Sequence, residues 1–341
     1  MPLRGRRPES AAPLEGVDLL LFDLDGVVYA GANAIPHAVD SINRAQDSVR
    51  VGYLTNNASR TDATVAEQLS GFGLRVRPDD IVTSPQAAVV LLADRVSAGS
   101  TVLVVGGDGL TSEVEKAGFT VTRSAEDGPA AVIQGFHPTV GWTELAEASY
   151  VLRPNPDIPW IATNTDWTIP QTRGIAPGNG TLVSAVHTAV GRLPVVAGKP
   201  ERAIFDAAVA RFGGDRPLFV GDRLDTDIIG ANRAGQTSAL VLTGIDGPKQ
   251  VLAAEPESRP RFLLADLRGL FAPYPEPVAE DRRGTTRVTS GRAVVTVSGD
   301  AVRLDRPGEP IEVLRAASAA IWGTGRPIYA LDVASELYSS S

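Results

Sequence analysis

Cysteine is absent from the 341 residues, which excludes a disulfide framework, a thiolate nucleophile and any cysteine-bound zinc. Histidine is nearly as scarce. The three present, His37, His137 and His187, are scattered along the chain, so no imidazole cluster offers itself to a transition metal. Any metal is therefore expected on carboxylates, which points to a hard ion such as Mg²⁺. Long apolar runs are also missing: the clearest, residues 17–22, is stopped by Asp23, far short of the roughly 20 residues that span a bilayer. The first sixteen residues carry Arg4, Arg6 and Arg7 where a secretory signal would have an apolar core, so a cytoplasmic location is expected. Lysine occurs three times, as Lys116, Lys199 and Lys249, among 32 basic residues, which makes each lysine worth examining. With a net charge of -8 and no clustered basic residues, a nucleic-acid partner is not expected.

What is present is enough for two domains and a small third piece. Hydrophobic residues make up 43% of the chain, sufficient for sizeable cores. Continuous apolar runs recur at 17–22, 51–55, 101–106, 130–136, 160–164, 218–222 and 238–244. Because they do not alternate with polar residues, they read as parallel strands covered on both faces. Helical stretches lie between them, with Ser84 and Pro85 as a start signal, Gly118 as a stop, and a helix over 224–234 closed by Gly235. The expected fold class is α/β, a doubly wound Rossmann-like parallel-sheet core. Composition changes near residue 272, where three prolines and a burst of charge suggest a linker. Beyond it a hairpin turning at 298–300 and one helix make a small α+β appendage.

Four short stretches carry chemistry. In LLLFDLDGVVY, residues 19–29, Asp23 and Asp25 arrive together at the end of a buried strand. Asp23 is a candidate covalent nucleophile toward phosphorus, and Asp25 a candidate acid/base that protonates the leaving oxygen and then activates water. Gly26 permits a close backbone approach just after them. LTNN places Thr55 and Asn56 at a second strand end, where hydroxyl, amide and backbone N–H groups can hold phosphate oxygens. Lys199, in AGKP, can neutralise crowded carboxylates and a phosphate. GDRLDTD supplies Asp222, Asp225 and Asp227. Asp222 can share a Mg²⁺ with the Asp23 carboxylate and the Asp25 backbone carbonyl, whereas Asp225 is explained equally well as an acid opening a helix.

In this order DLDGVVY, LTNN, GKP and GDRLDTDI resemble the four motifs of the haloacid dehalogenase superfamily of phosphatases, over residues 17–247. The resemblance implies Asp23 as nucleophile, Asp25 as acid/base, Thr55 and Lys199 as phosphate holders and Asp222 as metal ligand. It implies Asn56 in a positioning role, Asp227 orienting Lys199, and Mg²⁺ as cofactor. The subgroup most similar to it carries a large α/β cap between the second and third motifs and includes phosphoglycolate, glycerol 3-phosphate, nucleotide and p-nitrophenyl phosphatases. The expected domains are a discontinuous catalytic core at 1–96 with 194–271, an inserted α/β cap at 97–193, and an appendage at 272–341 resembling part of an acetyltransferase fold. That appendage has no [RQ]xxGx[GA] loop, so no acetyl transfer is expected of it. Asn164, Asp166, Trp167 and Arg173 of the cap are candidate specificity positions, with Trp167 equally able to serve the cap core or a dimer contact. A lid of this size favours small phosphorylated metabolites, and relatives often pair through their caps, so a homodimer is expected.

The expected activity is hydrolysis of a small phosphate monoester, glycerol 3-phosphate first, which would place the enzyme in glycerophospholipid metabolism. Phosphoglycolate, nucleotides and pyridoxal phosphate are the alternative substrates. A non-catalytic phosphoaspartate or metal-binding regulatory module is the alternative of another class. Asp25 speaks against it, because an acid/base at that spacing shortens the life of an acyl phosphate.

Overall fold

In the computed structural model, residues 11–171 and 173–339 are described. Their internal contacts divide them into two compact units, one running up to Val49 and resuming at Arg216, the other spanning Arg50–Asp215. This division puts the first and fourth motifs together with the appendage, and the second and third motifs together with the predicted cap strands.

The first unit is built on parallel strands in the spatial order Phe262–Leu264, Thr237–Val241, Pro217–Gly221 and Leu19–Phe22. Every residue of Leu19–Phe22 is buried, as a run without polar alternation requires when both faces are covered. The predicted helix over 224–234 begins with a π-type turn, Leu224–Ile228, before the α-helix Ile229–Arg233. The cause is local: Asp227 folds back to accept the N–H groups of Asp222 (3.0 Å) and Arg223 (3.1 Å), widening the first turn.

The appendage is an antiparallel meander of Val278–Arg282, Thr285–Ser290, Ala293–Ser298 and Ala301–Arg306. Its hairpin turns at Gly299, which adopts a φ of 65°. The short strand Asp332–Val333 adds in parallel at its edge. The helix Pro310–Gly323 buries Val313, Leu314, Ala317 and Ile321 in one continuous core with Leu240 and Leu263 of the parallel strands and Val251 and Leu252 of the helix Pro248–Leu252. The proline-rich stretch at its entrance, read as a linker, carries a buried anchor. Tyr274 packs edge-on against Phe262, its hydroxyl accepts from Leu263 N (3.2 Å), and its backbone N–H donates to Ala11 O (3.2 Å). Arg315 is buried over the Tyr274 ring at 4.0 Å and sends two N–H groups to Leu263 O, at 2.9 and 2.7 Å.

The second unit contains the parallel pair Arg50–Thr55 and Ile81–Thr83. It also contains a five-stranded parallel sheet in the order Val195–Val196, Trp160–Ala162, Ala131–Gln134, Thr101–Val105 and Thr120–Thr122. Trp160, Leu103, Val132 and Val105 pack there against Ala148, Val151 and Leu152 of helix Trp142–Leu152 and against Val183 and Val186 of helix Asn179–Val190. Helix Ser84–Ala93 is capped by Thr83 rather than by Ser84. Thr83 and Gln86 exchange side chain-to-backbone hydrogen bonds, which releases the Ser84 hydroxyl to donate to Asn56 O at 2.7 Å.

Replacing Arg315 by alanine leaves Leu263 O buried without its donors and opens a hole beside Tyr274. Urea unfolding should show a loss of about 3 kcal/mol, the range for breaking a buried, charged hydrogen-bonded contact. Burial also pushes the Tyr274 phenol above its usual range, more than the neighbouring Arg315 charge lowers it. The folded state therefore keeps a proton that the unfolded chain loses, so stability should hold below about pH 10 and fall as pH rises beyond it. A melting series across alkaline pH measures this.

Candidate active site

In the first unit, two adjacent parallel strands end in acids: Asp23 follows Phe22, and Asp222 follows Gly221. Asp23 N donates to Val220 O at 2.9 Å, which fixes the turn off the sheet. Asp23, Asp222 and Asp227 are all buried, and each offers a carboxylate oxygen within 4.8 Å of the other two. Three like charges so placed repel one another and lose hydration, so the group is stable only with compensating positive charge. Backbone donors supply part of it. Ile245 N points at Asp222 Oδ2 (2.7 Å), and Asp227 takes the two N–H groups already described. An all-oxygen, buried donor set of this kind suits a hard divalent cation.

Space for these carboxylates comes from glycine. Gly26 has a φ of 81°, and a Cβ there would overlap the Asp222 carboxylate; one at Gly244 would do the same. Gly26 is held in place as its N–H donates to Tyr29 O (2.8 Å) and its carbonyl accepts from the Thr243 hydroxyl (2.7 Å). Asp25 lies outside the carboxylate trio. Its side chain is exposed and accepts from the Tyr29 hydroxyl at 3.1 Å. Asp225 lies in the first turn of Leu224–Ile228 and forms a surface ion pair with Arg223 at 2.8 Å.

The second unit assembles the second and third motifs. Thr55 is buried at the end of its strand and its Oγ1 accepts from Asn57 N (3.1 Å), so the hydroxyl hydrogen points elsewhere. Lys199 is buried, 4% exposed. Asn56 joins the two motifs: its Oδ1 accepts from Lys199 N (2.8 Å) and its Nδ2 donates to Lys199 O (3.1 Å). The same Nδ2 reaches Asp166 Oδ1 at 3.1 Å and Oδ2 at 3.3 Å. Asn164, also buried, donates to Asn56 O (2.7 Å) and receives Asp166 N (3.2 Å).

Of the four cap candidates, Asn164 and Asp166 thus belong to a network around Asn56 and Lys199. Arg173 is exposed in the turn after Thr168–Gln171 and takes no part in those hydrogen bonds. Trp167 is 65% exposed, which removes it from the cap core. His187 bonds Arg192 O through Nδ1, just beyond the end of its own helix. Tyr29, Thr243, Ile245 and Asp246 escaped the sequence reading. Asp246 is half-buried; its carboxylate accepts Leu224 N at 2.6 Å and its own N–H donates to Asp222 O at 3.2 Å. They lie shortly after DLDG or in TGID following a predicted strand, with no spacing or pattern of their own to single them out.

Comparison with known proteins decides the family. One family model, haloacid dehalogenase-like hydrolase, matches residues 20–120, and a second, HAD-hydrolase-like, matches residues 196–270. D-glycerol 3-phosphate phosphatase of Mycobacterium tuberculosis is 41% identical over 311 residues, 89% of this chain and 86% of that protein. The chain belongs to the haloacid dehalogenase-like hydrolases. Glycerol-3-phosphate phosphatase of Gallus gallus is 37% identical over 262 residues, 70% of this chain and 84% of its own. The crystal structure of the M. tuberculosis glycerol phosphate phosphatase in complex with magnesium superposes with a TM-score of 0.81 at 39% identity, covering 95% of each chain. The haloacid dehalogenase-like chain is accordingly an enzyme, a phosphatase, and the reading as a regulatory module without turnover is set aside. Among the described residues, no helix is long and apolar enough to cross a membrane.

Gly26→Ala drives a Cβ into the Asp222 carboxylate and strains a left-handed backbone. Calorimetric titration with Mg²⁺ should show affinity falling at least about tenfold, the scale on which displaced metal ligands are felt. Unchanged affinity would separate Gly26 from the carboxylate trio.

Proposed function

We propose that the enzyme hydrolyses small phosphate monoesters with Mg²⁺, and that glycerol 3-phosphate is its preferred substrate. The buried trio of Asp23, Asp222 and Asp227 at parallel strand ends is the observation that carries the chemistry. The names of two relatives, 41% and 37% identical, support the substrate. Asp23, Asp222 and the Asp25 carbonyl would hold the ion, with Asp227 bracing the turn that carries Asp222. Once bound, the cation offsets the carboxylates and the charge of the phosphoryl oxygens.

The protein's own groups divide the reaction as follows. An Asp23 carboxylate oxygen forms a bond to phosphorus as the bond from phosphorus to the ester oxygen breaks, and Asp25 gives that oxygen its proton. A water then attacks the aspartyl phosphate, Asp25 recovers a proton from it, and inorganic phosphate leaves with Asp23 regenerated. The exposed position of Asp25 suits a group that must meet both an alcohol and a water. Thr55, with its hydroxyl hydrogen directed away from Asn57, and Lys199, with its buried charge, would hold the phosphate oxygens.

The domain reading is a core of residues 1–96 and 194–271, a cap of 97–193 and an appendage of 272–341. The separate five-stranded sheet between Thr101 and Val196 supports the cap. A cytoplasmic homodimer completes the reading; light scattering that gives the mass of one chain at micromolar concentration would remove the dimer.

Phosphate release should be measured from glycerol 3-phosphate, phosphoglycolate, a nucleoside monophosphate and pyridoxal phosphate, with Mg²⁺ and with chelator. Glycerol 3-phosphate should lead and all turnover should stop on chelation; another leading ester would overturn the substrate. Asp23→Asn should lower turnover by roughly a thousandfold or more, the loss expected when a covalent nucleophile is removed.

A further inference from the structure

Asp166, a candidate specificity position from its sequence context, lies against Asn56 rather than in isolation. We propose that Asp166 is a positioning residue for Lys199, acting through Asn56. The inference rests on the phosphatase function proposed above and adds how its lysine is seated.

The Asn56 carboxamide pairs with the backbone of Lys199 on both sides, accepting from its N–H at 2.8 Å and donating to its carbonyl at 3.1 Å. This pairing works in one orientation of the amide only. Rotated by half a turn, Nδ2 would face Lys199 N and Oδ1 would face Lys199 O, donor to donor and acceptor to acceptor. A carboxylate can only accept, and that of Asp166 sits 3.1 and 3.3 Å from Nδ2. It therefore stabilises the productive orientation and repels the flipped one.

Asp166 is itself fixed by its backbone. Its N–H donates to Asn164 Oδ1 (3.2 Å) and its carbonyl accepts Gly180 N (2.9 Å) at the start of helix Asn179–Val190. Asn164 closes the ring by donating to Asn56 O at 2.7 Å, and Asn179 Nδ2 holds Asn164 O at 2.7 Å. The neighbour of Lys199 shows how close the fit is: a Cβ on Gly198 would stand 2.6 Å from Asn56 Oδ1 and 2.5 Å from Thr163 O. The lysine loop thus lies flat on the amide that Asp166 orients. A displaced Lys199 weakens the hold on every phosphate alike, because the phosphoryl group is common to all esters.

The test combines kinetics on three phosphate esters with calorimetric binding of inorganic phosphate in Mg²⁺. Asp166→Ala should lower kcat/KM by about 10- to 100-fold, a misplacement-sized effect, by the same factor for each ester, and should weaken phosphate binding. Asp166→Asn, which keeps an acceptor, should recover much of that loss. Asn56→Ala combined with Asp166→Ala should be no worse than Asn56→Ala alone, since both break one link. A changed ranking of esters in Asp166→Ala with phosphate binding intact would overturn the proposal in favour of direct substrate contact. So would additive effects in the double variant. Should Asp166→Ala fail to fold, Asn56→Asp carries the test: it sets oxygen against both Asp166 and Lys199 O, and wild-type phosphate binding in that variant would sink the idea. Absence of turnover on every ester would count against the proposed function, whereas equal phosphate binding by wild type and Asp166→Ala counts against this inference whatever the turnover.

Discussion

Buried like charges are the constraint on which the first unit depends. Asp23, Asp222 and Asp227 sit within 4.8 Å of one another with almost no solvent, an arrangement that hydration and Coulomb repulsion both oppose. Much of the nearby backbone answers that cost. The turn after Gly221 aims two N–H groups at Asp227, the segment after Val241 aims Ile245 N at Asp222, and Gly26 and Gly244 leave out the side chains that would collide with it. The π-type turn at Leu224–Ile228 belongs to the same adjustment, since an acid that must reach backward to residues 222 and 223 opens the helix start.

The strands were legible because parallel strands buried on both faces leave an apolar run, and Leu19–Phe22 and Pro217–Gly221 are such runs. Asp23, Thr55 and Asp222 were legible for the same reason, each being the first polar residue at the end of one or its last member. Ser84 reads as the cap because serine is, if anything, preferred over threonine at that position, and only the reciprocal bonding with Gln86 picks out Thr83. The task of Asp166 could not be read in advance. It arises from contact with Asn56, 110 positions earlier, which no local pattern encodes. Tyr29 and Asp246 were invisible for a related reason: each acts on a neighbour's geometry, and a lone tyrosine or aspartate in a loop carries no spacing that announces it.

Burial also explains why the tail is continuous with the first unit. A four-stranded meander with one helix has too small a core for much stability of its own. Here Pro310–Gly323 lays its apolar face on Val251, Leu252 and Leu263, and Arg315 spends two hydrogen bonds on a carbonyl of the parallel layer. A buried guanidinium costs desolvation, and burial accordingly pulls its pKa down. It is retained at a position where it satisfies Leu263 O and stacks on Tyr274, which fixes one register of helix against sheet more narrowly than apolar contact would. The helix Pro248–Leu252, which it packs near, continues directly from the segment that supplies Ile245 and Asp246 to Asp222.

In the proposed mechanism, one turn of chain separates the tasks of the two acids of the opening motif. Asp23 leaves the strand buried, with its backbone tied to the neighbouring strand at Val220, so its direction is set by the sheet. Asp25 is two residues further on, past the point where the chain begins to turn toward Gly26, and it faces solvent with one oxygen on the Tyr29 hydroxyl. A nucleophile benefits from the first setting, because a fixed, poorly hydrated carboxylate has less water to shed and less freedom to lose on reaching phosphorus. An acid that must be recharged in every cycle benefits from the second, because its proton has to come from and return to water. Exchanging the environments would strand the proton donor in the interior and leave the nucleophile hydrated. The spacing of two residues, with a leucine buried between them, lets a single strand end offer one buried and one exposed carboxylate.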